Sequence, residues 1–412
     1  MTAHKDDSEA TRRSYMKAVG AAGVLTTAGL AGCSGNSGNG SEGDGGDGDG
    51  SGSSGEDVIA IPMKSLGAFF FRTAATGAEY EANELGYGTT VLDAGSDSEQ
   101  MNRQISDAAS RDDVVAIVTD PIDSQAQQSP ITNAMDEGIP VGVVDTPAAE
   151  EATLTVAFDN YLAGENLAHR TVEELRNKYD SLEGRKVVYF HGFLGSYAWD
   201  QRMQGTRDRM EEYAEETGLE FYNIEGGGTP EEFGQSATEW LSQNSDVDAV
   251  LNASSGGFLA GVLQALDRED LLYYRGNDEH VLVGAVDGYL SDVQWMNDGY
   301  IDYISMQNPV AYGQICVDLL DEFAIGQGAR DVIPVGEAPD VVDPSRFYFG
   351  AELGENPEIE DSETGPQYTV PTYVMGPENV EHDMHWPKLA ADRLGMESEA
   401  ADIELSPQGD PP

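Results

Sequence analysis

The chain has 412 residues, and its 75 acidic against 22 basic side chains give a formal net charge of −53. That charge excludes nucleic acid, which a polyanion repels, and self-repulsion on this scale weakens a compact fold unless concentrated salt screens it. Six lysines accompany sixteen arginines, and acidic residues lie along every predicted helix rather than in one tail, so we expect a halophile protein, with 39% hydrophobic residues and length enough for two domains.

Residues 11–17 read TRRSYMK and lead into AVGAAGVLTTAGLAGC, so Arg12, Arg13 and Lys17 precede about thirteen apolar or small residues. That run is too short to span a bilayer. It resembles a twin-arginine export signal ending in a lipobox, Leu30-Ala31-Gly32-Cys33. The resemblance implies a signal over residues 1–33, cleavage before Cys33, lipidation of that cysteine, and a protein anchored on the extracellular face of the cell membrane. Residues 34–56, SGNSGNGSEGDGGDGDGSGSSGE, bury nothing and form a disordered tether of roughly 25–30 Å root-mean-square span. Its GGDGDG piece lacks a bidentate glutamate at a calcium-loop offset, and no calcium site is expected there.

From residue 58 short β-branched runs alternate with amphipathic segments. VIAIPM (58–63) precedes a helix whose apolar stripe is predicted to run through Phe71, Ala74, Ala75, Ala78, Ala82 and Leu85. Of the three consecutive phenylalanines, Phe71 then faces the core, Phe70 is displayed at the mouth of the strand ends, and Phe69 points elsewhere. TTVLD (89–93), VVAIVTD (114–120), VGVVD (141–145) and LTVAF (154–158) follow as strands, with helices near 98–110 and 124–137. The second half repeats the plan: helices near 161–178, 198–217, 230–244 and 257–267, and strands at 187–190, 219–223, 249–252, 280–287 and 300–306. A long helix after Pro309 runs through Leu319 to Ile325 and holds Cys316 as a small core residue; no disulfide is expected.

This alternation predicts an α/β fold of two doubly wound parallel-sheet lobes. Ligands of such folds bind beyond the carboxyl ends of the strands. The residues there are Lys64, Asp93, Asp120, Asp145, His191, Ser254, Ser255, Asp287 and Gln307.

The segments FFFRTAATGAEYEANELGYGTTVLD, IPVGVVDTP, FDNYLAG, GFLGSYAWDQRMQG, LVGAVDG and MQNPVAYG, in this order over roughly residues 57–325, resemble the ribose/galactose-type sugar-binding lipoproteins of ABC importers. The resemblance implies the type I periplasmic-binding-protein-like fold, with its lobes joined by a three-crossing hinge, near 158–160, 306–309 and 369–375. The N-terminal lobe is then 57–158 plus 308–334 and the C-terminal lobe 159–307 plus 367–381, with 335–366 and 382–412 as extensions. Carried over residue by residue, the aromatic wall falls on Phe70 and Phe71, the hydroxyl-binding carboxylates on Asp145 and Asp287, the guanidinium on Arg202 and the hinge glutamine on Gln307. Ala68, Thr146, Ser255 and Gly228 stand where the family often has other polar or aromatic partners. Tyr197 or Trp199 is placed to supply the aromatic missing at Gly228, and Lys64 to supply a lost donor or to recognise a charged ligand.

We therefore expect a receptor without enzymatic activity, cofactor or metal. It is expected to be a monomer that captures a small sugar-like ligand, a monosaccharide, and delivers it to ABC permease subunits. The alternatives are a receptor for a nucleoside or another polar metabolite, and an α/β hydrolase. HGFLGS (191–196) resembles a hydrolase oxyanion loop, but no G-x-S-x-G elbow accompanies it. EHDMH (381–385) has two histidines at metal-ligand spacing on an acidic tail, where a solvated stretch is the ordinary outcome.

Overall fold

The computed structural model of the chain describes residues 57–348, 356–397 and 403–412, so the export signal, Cys33 and the tether lie outside the described residues. Two sheets carry the fold. The first runs, edge to edge, β11 (Ile359–Ser362), β12 (Gly365–Val370), β5 (Leu154–Phe158), β4 (Val141–Val144), β3 (Val114–Thr119), β1 (Val58–Met63) and β2 (Gly88–Asp93). The second runs β13 (Tyr373–Met375), β10 (Tyr303–Met306), β9 (Leu282–Asp287), β8 (Ala249–Asn252), β6 (Lys186–Gly192) and β7 (Glu220–Gly227). Pairing is parallel throughout except β11 with β12 and β10 with β13. Strands such as AVLN and LVGAVD are buried at every position, as expected of parallel strands covered by helices on both faces.

Both sheets reverse direction beside their first strand, β1 against β3 and β6 against β8. These are the switch points where doubly wound folds open a crevice. Ten α-helices are described: α1 (Phe69–Glu84), α2 (Ser98–Ala109), α3 (Ser124–Asp136), α4 (Asn160–Lys178), α5 (Tyr197–Thr217), α6 (Pro230–Leu241), α7 (Gly257–Arg268), α8 (Leu290–Asn297), α9 (Pro309–Phe323) and α10 (Trp386–Leu394). Side-chain caps begin several of them: Asp97, Asp123, Asp159, Thr229 and Asn308 each accept from a backbone N–H in the first turn.

The chain passes between the sheets after Phe158, after Met306 and between Val370 and Tyr373. The run TVPTYVM is divided at Pro371, which has no N–H to give to a ladder. Residues 367–370 consequently pair with β5 in the first sheet, burying Tyr368 and Val370. The family resemblance implies that residues from 367 onward lie in the C-terminal lobe, and the pairing with β5 corrects this for 367–370. The hairpin of β11 and β12 extends the first sheet from within the segment expected to be an extension.

The buried stripe of α1 also differs from expectation. It holds the expected Ala74, Ala75, Ala78 and Ala82 together with Phe70, Thr73, Gly77 and Glu81, whereas Phe71 is half-buried and Leu85 is exposed. The reason is the contact with α9: a Cβ on Gly313 would lie 2.1 Å from the Ala74 carbonyl oxygen, and one on Gly77 would lie 2.9 Å from that of Val310. Two glycines let the helices touch backbone to backbone, which turns the Phe70–Gly77–Glu81 flank inward. Cys316 lies in the core, where burial pushes its thiol up.

Candidate functional site

The second-lobe half of the site grows from the end of β9. Asp287 adopts φ +110°, a conformation that non-glycine residues rarely take. Backbone strain of this kind concentrates at binding and catalytic sites. Its carboxylate accepts from Ser254 Oγ at 2.5 Å and Gln307 Nε2 at 2.8 Å, and it pairs with Arg202 Nη1 at 2.9 Å. Arg202 is itself fixed: Nε donates to Asn160 Oδ1 and Nη1 to the Ala253 carbonyl, both at 2.8 Å. The close crossing of α4 and α5 puts it there, since a Cβ on Gly205 would stand 2.1 Å from the Tyr161 carbonyl oxygen. Gln307 accepts in turn from the Tyr312 hydroxyl at 3.0 Å. Arg202, Asp287 and Gln307 are all buried. Burial raises the Asp287 carboxyl above its ordinary value, Arg202 and Ser254 hold it down, and Asp145 of the other lobe pushes it up.

The first-lobe half collects around Lys64, one residue past β1. Its ammonium pairs with Asp120 Oδ1 at 2.9 Å and Asp145 Oδ2 at 3.3 Å, and donates to Thr146 Oγ1 at 2.8 Å. It also lies 4.4 Å from the centroid of the Phe71 ring. Asp145, like Asp287, has a positive φ, +61°, in the left-handed region that aspartate tolerates. Asp120 is fully buried, and that burial pushes its carboxyl up to about 7, with Lys64 lowering it and Asp145 raising it. A lysine already neutralised by two carboxylates is poorly suited to receive an anionic ligand.

The structure therefore brings Arg202, Asp287 and Gln307 into one network and Lys64, Asp145 and Phe71 into another. Phe70 is 6% exposed, with its ring edge-on to Phe71, Tyr312 and Trp386 at centroid distances of 5.4, 6.1 and 6.2 Å. Trp199 joins neither network. It lies over Gly192 and packs against Phe193, Phe233 and Phe258. Among the other strand-end residues, Asp93 caps its own turn through Gly95 N–H, and His191 Nδ1 contacts the neighbouring Gly192 carbonyl. Ser255 donates to Asp292, a buried carboxyl that desolvation raises to about 7. In EHDMH both ring nitrogens of His385 are engaged, with Tyr373 Oη and the Asn379 carbonyl, and no group of three metal-ligating side chains occurs among the described residues.

Trp386 and Tyr312 escaped the reading of the sequence. Tyr312 lies in an apolar helical run and reads as core. Trp386 lies in the C-terminal extension, where Pro387 just inside a helix start was the available signal.

The model of the periplasmic binding protein domain matches residues 59–328. The chain belongs to the periplasmic binding protein domain family. Like other members, it is built to bind a solute and not to transform one. It is similar to the ribose import binding protein of Haemophilus influenzae, 25% identical over 289 residues that cover 69% of this chain and 91% of that protein. The Escherichia coli ribose import binding protein is 26% identical over 286 residues, 68% of this chain and 89% of the relative. Among solved structures, the periplasmic ribose ABC transporter protein of Conexibacter woesei superposes with a TM-score of 0.61 at 18% identity, covering 81% of this chain and 97% of that one. These likenesses agree with the two-lobed α/β architecture expected from the alternation of strands and helices. No helix among the described residues is long and apolar enough to cross a membrane.

Proposed function

We propose that this binding protein is a lipid-anchored, extracytoplasmic receptor that closes its lobes on a monosaccharide and presents it to ABC permease subunits. The observation that carries the sugar assignment is the Arg202–Asp287–Gln307 network facing Lys64 and Asp145. Buried carboxylates accept from ring hydroxyls, a fixed guanidinium donates to them, and an aromatic flank at Phe70 and Phe71 suits the C–H face of a sugar ring. The curated relatives named for ribose import support the same ligand class. The signal-like segment with Arg12, Arg13 and Cys33 supports twin-arginine export and lipid anchoring, and the net charge of −53 supports work in concentrated salt. We assign the ligand-binding role to Phe70, Phe71, Asp145, Arg202, Asp287 and Gln307, with Lys64 as the organiser of the two first-lobe carboxylates. Trp199 is assigned to packing of the second lobe.

The test is calorimetric titration in molar salt against pentoses, hexoses, inositols and nucleosides. Micromolar or tighter binding of one sugar is the expected result. Binding of a nucleoside with silence from every sugar would overturn the carbohydrate assignment and leave the receptor fold in place.

A further inference from the structure

Trp386 lies outside the segment matched to the family, on a stretch that ties the lobes together once more after β13. Residues 376–385 stay on the second lobe, through Glu378 to Arg170 at 2.9 Å and Glu381 to Asn297 at 2.7 Å. Helix α10 then returns to the first lobe, where Arg393 donates to Gln314 Oε1 at 3.0 Å and to the Arg346 carbonyl at 2.6 Å. Trp386 stands at the seam and has no exposed surface. Its indole Nε1 donates to the carbonyl of Asp287 at 3.0 Å, on the second lobe. Its ring stacks on Phe69 at 5.6 Å with planes 29° apart and meets Phe70 edge-on, both on the first lobe. Tyr289 of the second lobe closes the other side at 5.4 Å.

The carbonyl that Trp386 holds belongs to the residue with φ +110°, and the Gln307 N–H, at 3.1 Å, is its other donor. The strained backbone is what aims the Asp287 carboxylate at Arg202, Ser254 and Gln307. One side chain from the C-terminal extension thus touches the backbone of the second-lobe carboxylate and the aromatic pair of the first lobe at once. We propose that Trp386 is a positioning residue of the ligand cleft, through which the C-terminal extension sets ligand affinity by fixing Asp287 and backing Phe69 and Phe70 when the lobes are together. This rests on the reading of the Arg202–Asp287–Gln307 network as the ligand site.

The test uses the full chain in molar sodium chloride, with Trp386→Phe, Trp386→Ala and, as a control, Trp295→Phe, the same change at a buried tryptophan of α8. D-Ribose, D-arabinose and myo-inositol are titrated calorimetrically, and small-angle scattering reads the radius of gyration without sugar. Trp386→Phe, which loses one hydrogen bond and keeps a ring, should weaken sugar binding about five- to tenfold. Trp386→Ala should weaken it further, both should enlarge the sugar-free molecule, and Trp295→Phe should do neither. Wild-type affinity in Trp386→Phe overturns the proposal. If no sugar binds the wild-type chain, the cleft reading fails on its own, and scattering still decides the seam: an unchanged radius of gyration in both Trp386 variants overturns the bridging role.

Discussion

Replacing Arg202 by methionine isolates the electrostatics of the second-lobe network. The guanidinium is 4% exposed and makes three contacts: Asn160 Oδ1 and the Ala253 carbonyl at 2.8 Å, and the Asp287 carboxylate at 2.9 Å. Methionine fills much of the volume but leaves Asp287 buried beside Ser254 and Gln307 without a counter-charge, and Asp145 of the other lobe still repels it. Breaking a buried pair from one side costs about 3–5 kcal/mol, and the two orphaned oxygens fall within that range. Adding Asp287→Asn removes the stranded charge and should restore roughly 2 kcal/mol, because most of the penalty is desolvation of the charge rather than loss of the pair itself. The assay is urea unfolding in molar sodium chloride, followed by circular dichroism with each variant at pH 5 and pH 8. The single variant should be the more damaged at pH 8, since burial raises this carboxyl in the fold and the stability of its protonated form is lost as pH rises. A loss below about 1 kcal/mol, or a double variant no more stable than the single one, would show that Arg202 does not compensate the buried Asp287 charge.

Asp120 gives a second pH signature. Its carboxyl is raised in the fold from 3.8 to about 7, so its contribution is fully present below pH 3.8 and is lost as pH rises through 7, a swing of roughly 4 kcal/mol; Asp120→Asn should flatten that part of the stability–pH curve. Phe70→Ala should cost about 3–5 kcal/mol of stability, because Phe70 packs among Phe71, Tyr312 and Trp386. Phe71→Ala, at a half-buried position, should cost clearly less while weakening sugar binding, as calorimetry would read. The melting temperature should rise with sodium chloride well into the molar range, since a net charge of −53 is relieved as the screening length falls from about 10 Å at 0.1 M to about 3 Å at 1 M; a melting temperature that ignores salt would contradict the halophilic reading.

The two-lobed fold was legible because parallel strands buried on both faces leave continuous apolar runs, and the strand-end rule then pointed to Lys64, Asp120, Asp145, Asp287 and Gln307. Arg202 came from resemblance alone, because a residue in the second turn of a helix carries no strand-end mark. The facing of Phe70 and Phe71 was misread for a reason periodicity does not contain: Gly77 and Gly313 set how α1 lies on α9, and that is a property of two distant segments. Trp199 packs over Gly192, the last residue of the strand before its own helix, a contact that the spacing of apolar residues does not announce. Trp386 was invisible for a related reason. Nothing local to HWPKLA reports that α10 returns to the first lobe and sets its indole against a carbonyl 99 positions earlier.

The proposed function places a sugar between the Arg202–Asp287–Gln307 network and the Lys64–Asp145 pair. A crystal structure of the chain with the tightest-binding sugar of the calorimetric panel tests it most directly. Ring hydroxyls should lie within hydrogen-bonding distance of Arg202, Asp287 and Asp145, with the ring against the Phe70–Phe71 flank. A sugar bound elsewhere on the molecule, with Arg202 and Asp287 still paired only to each other, would contradict it.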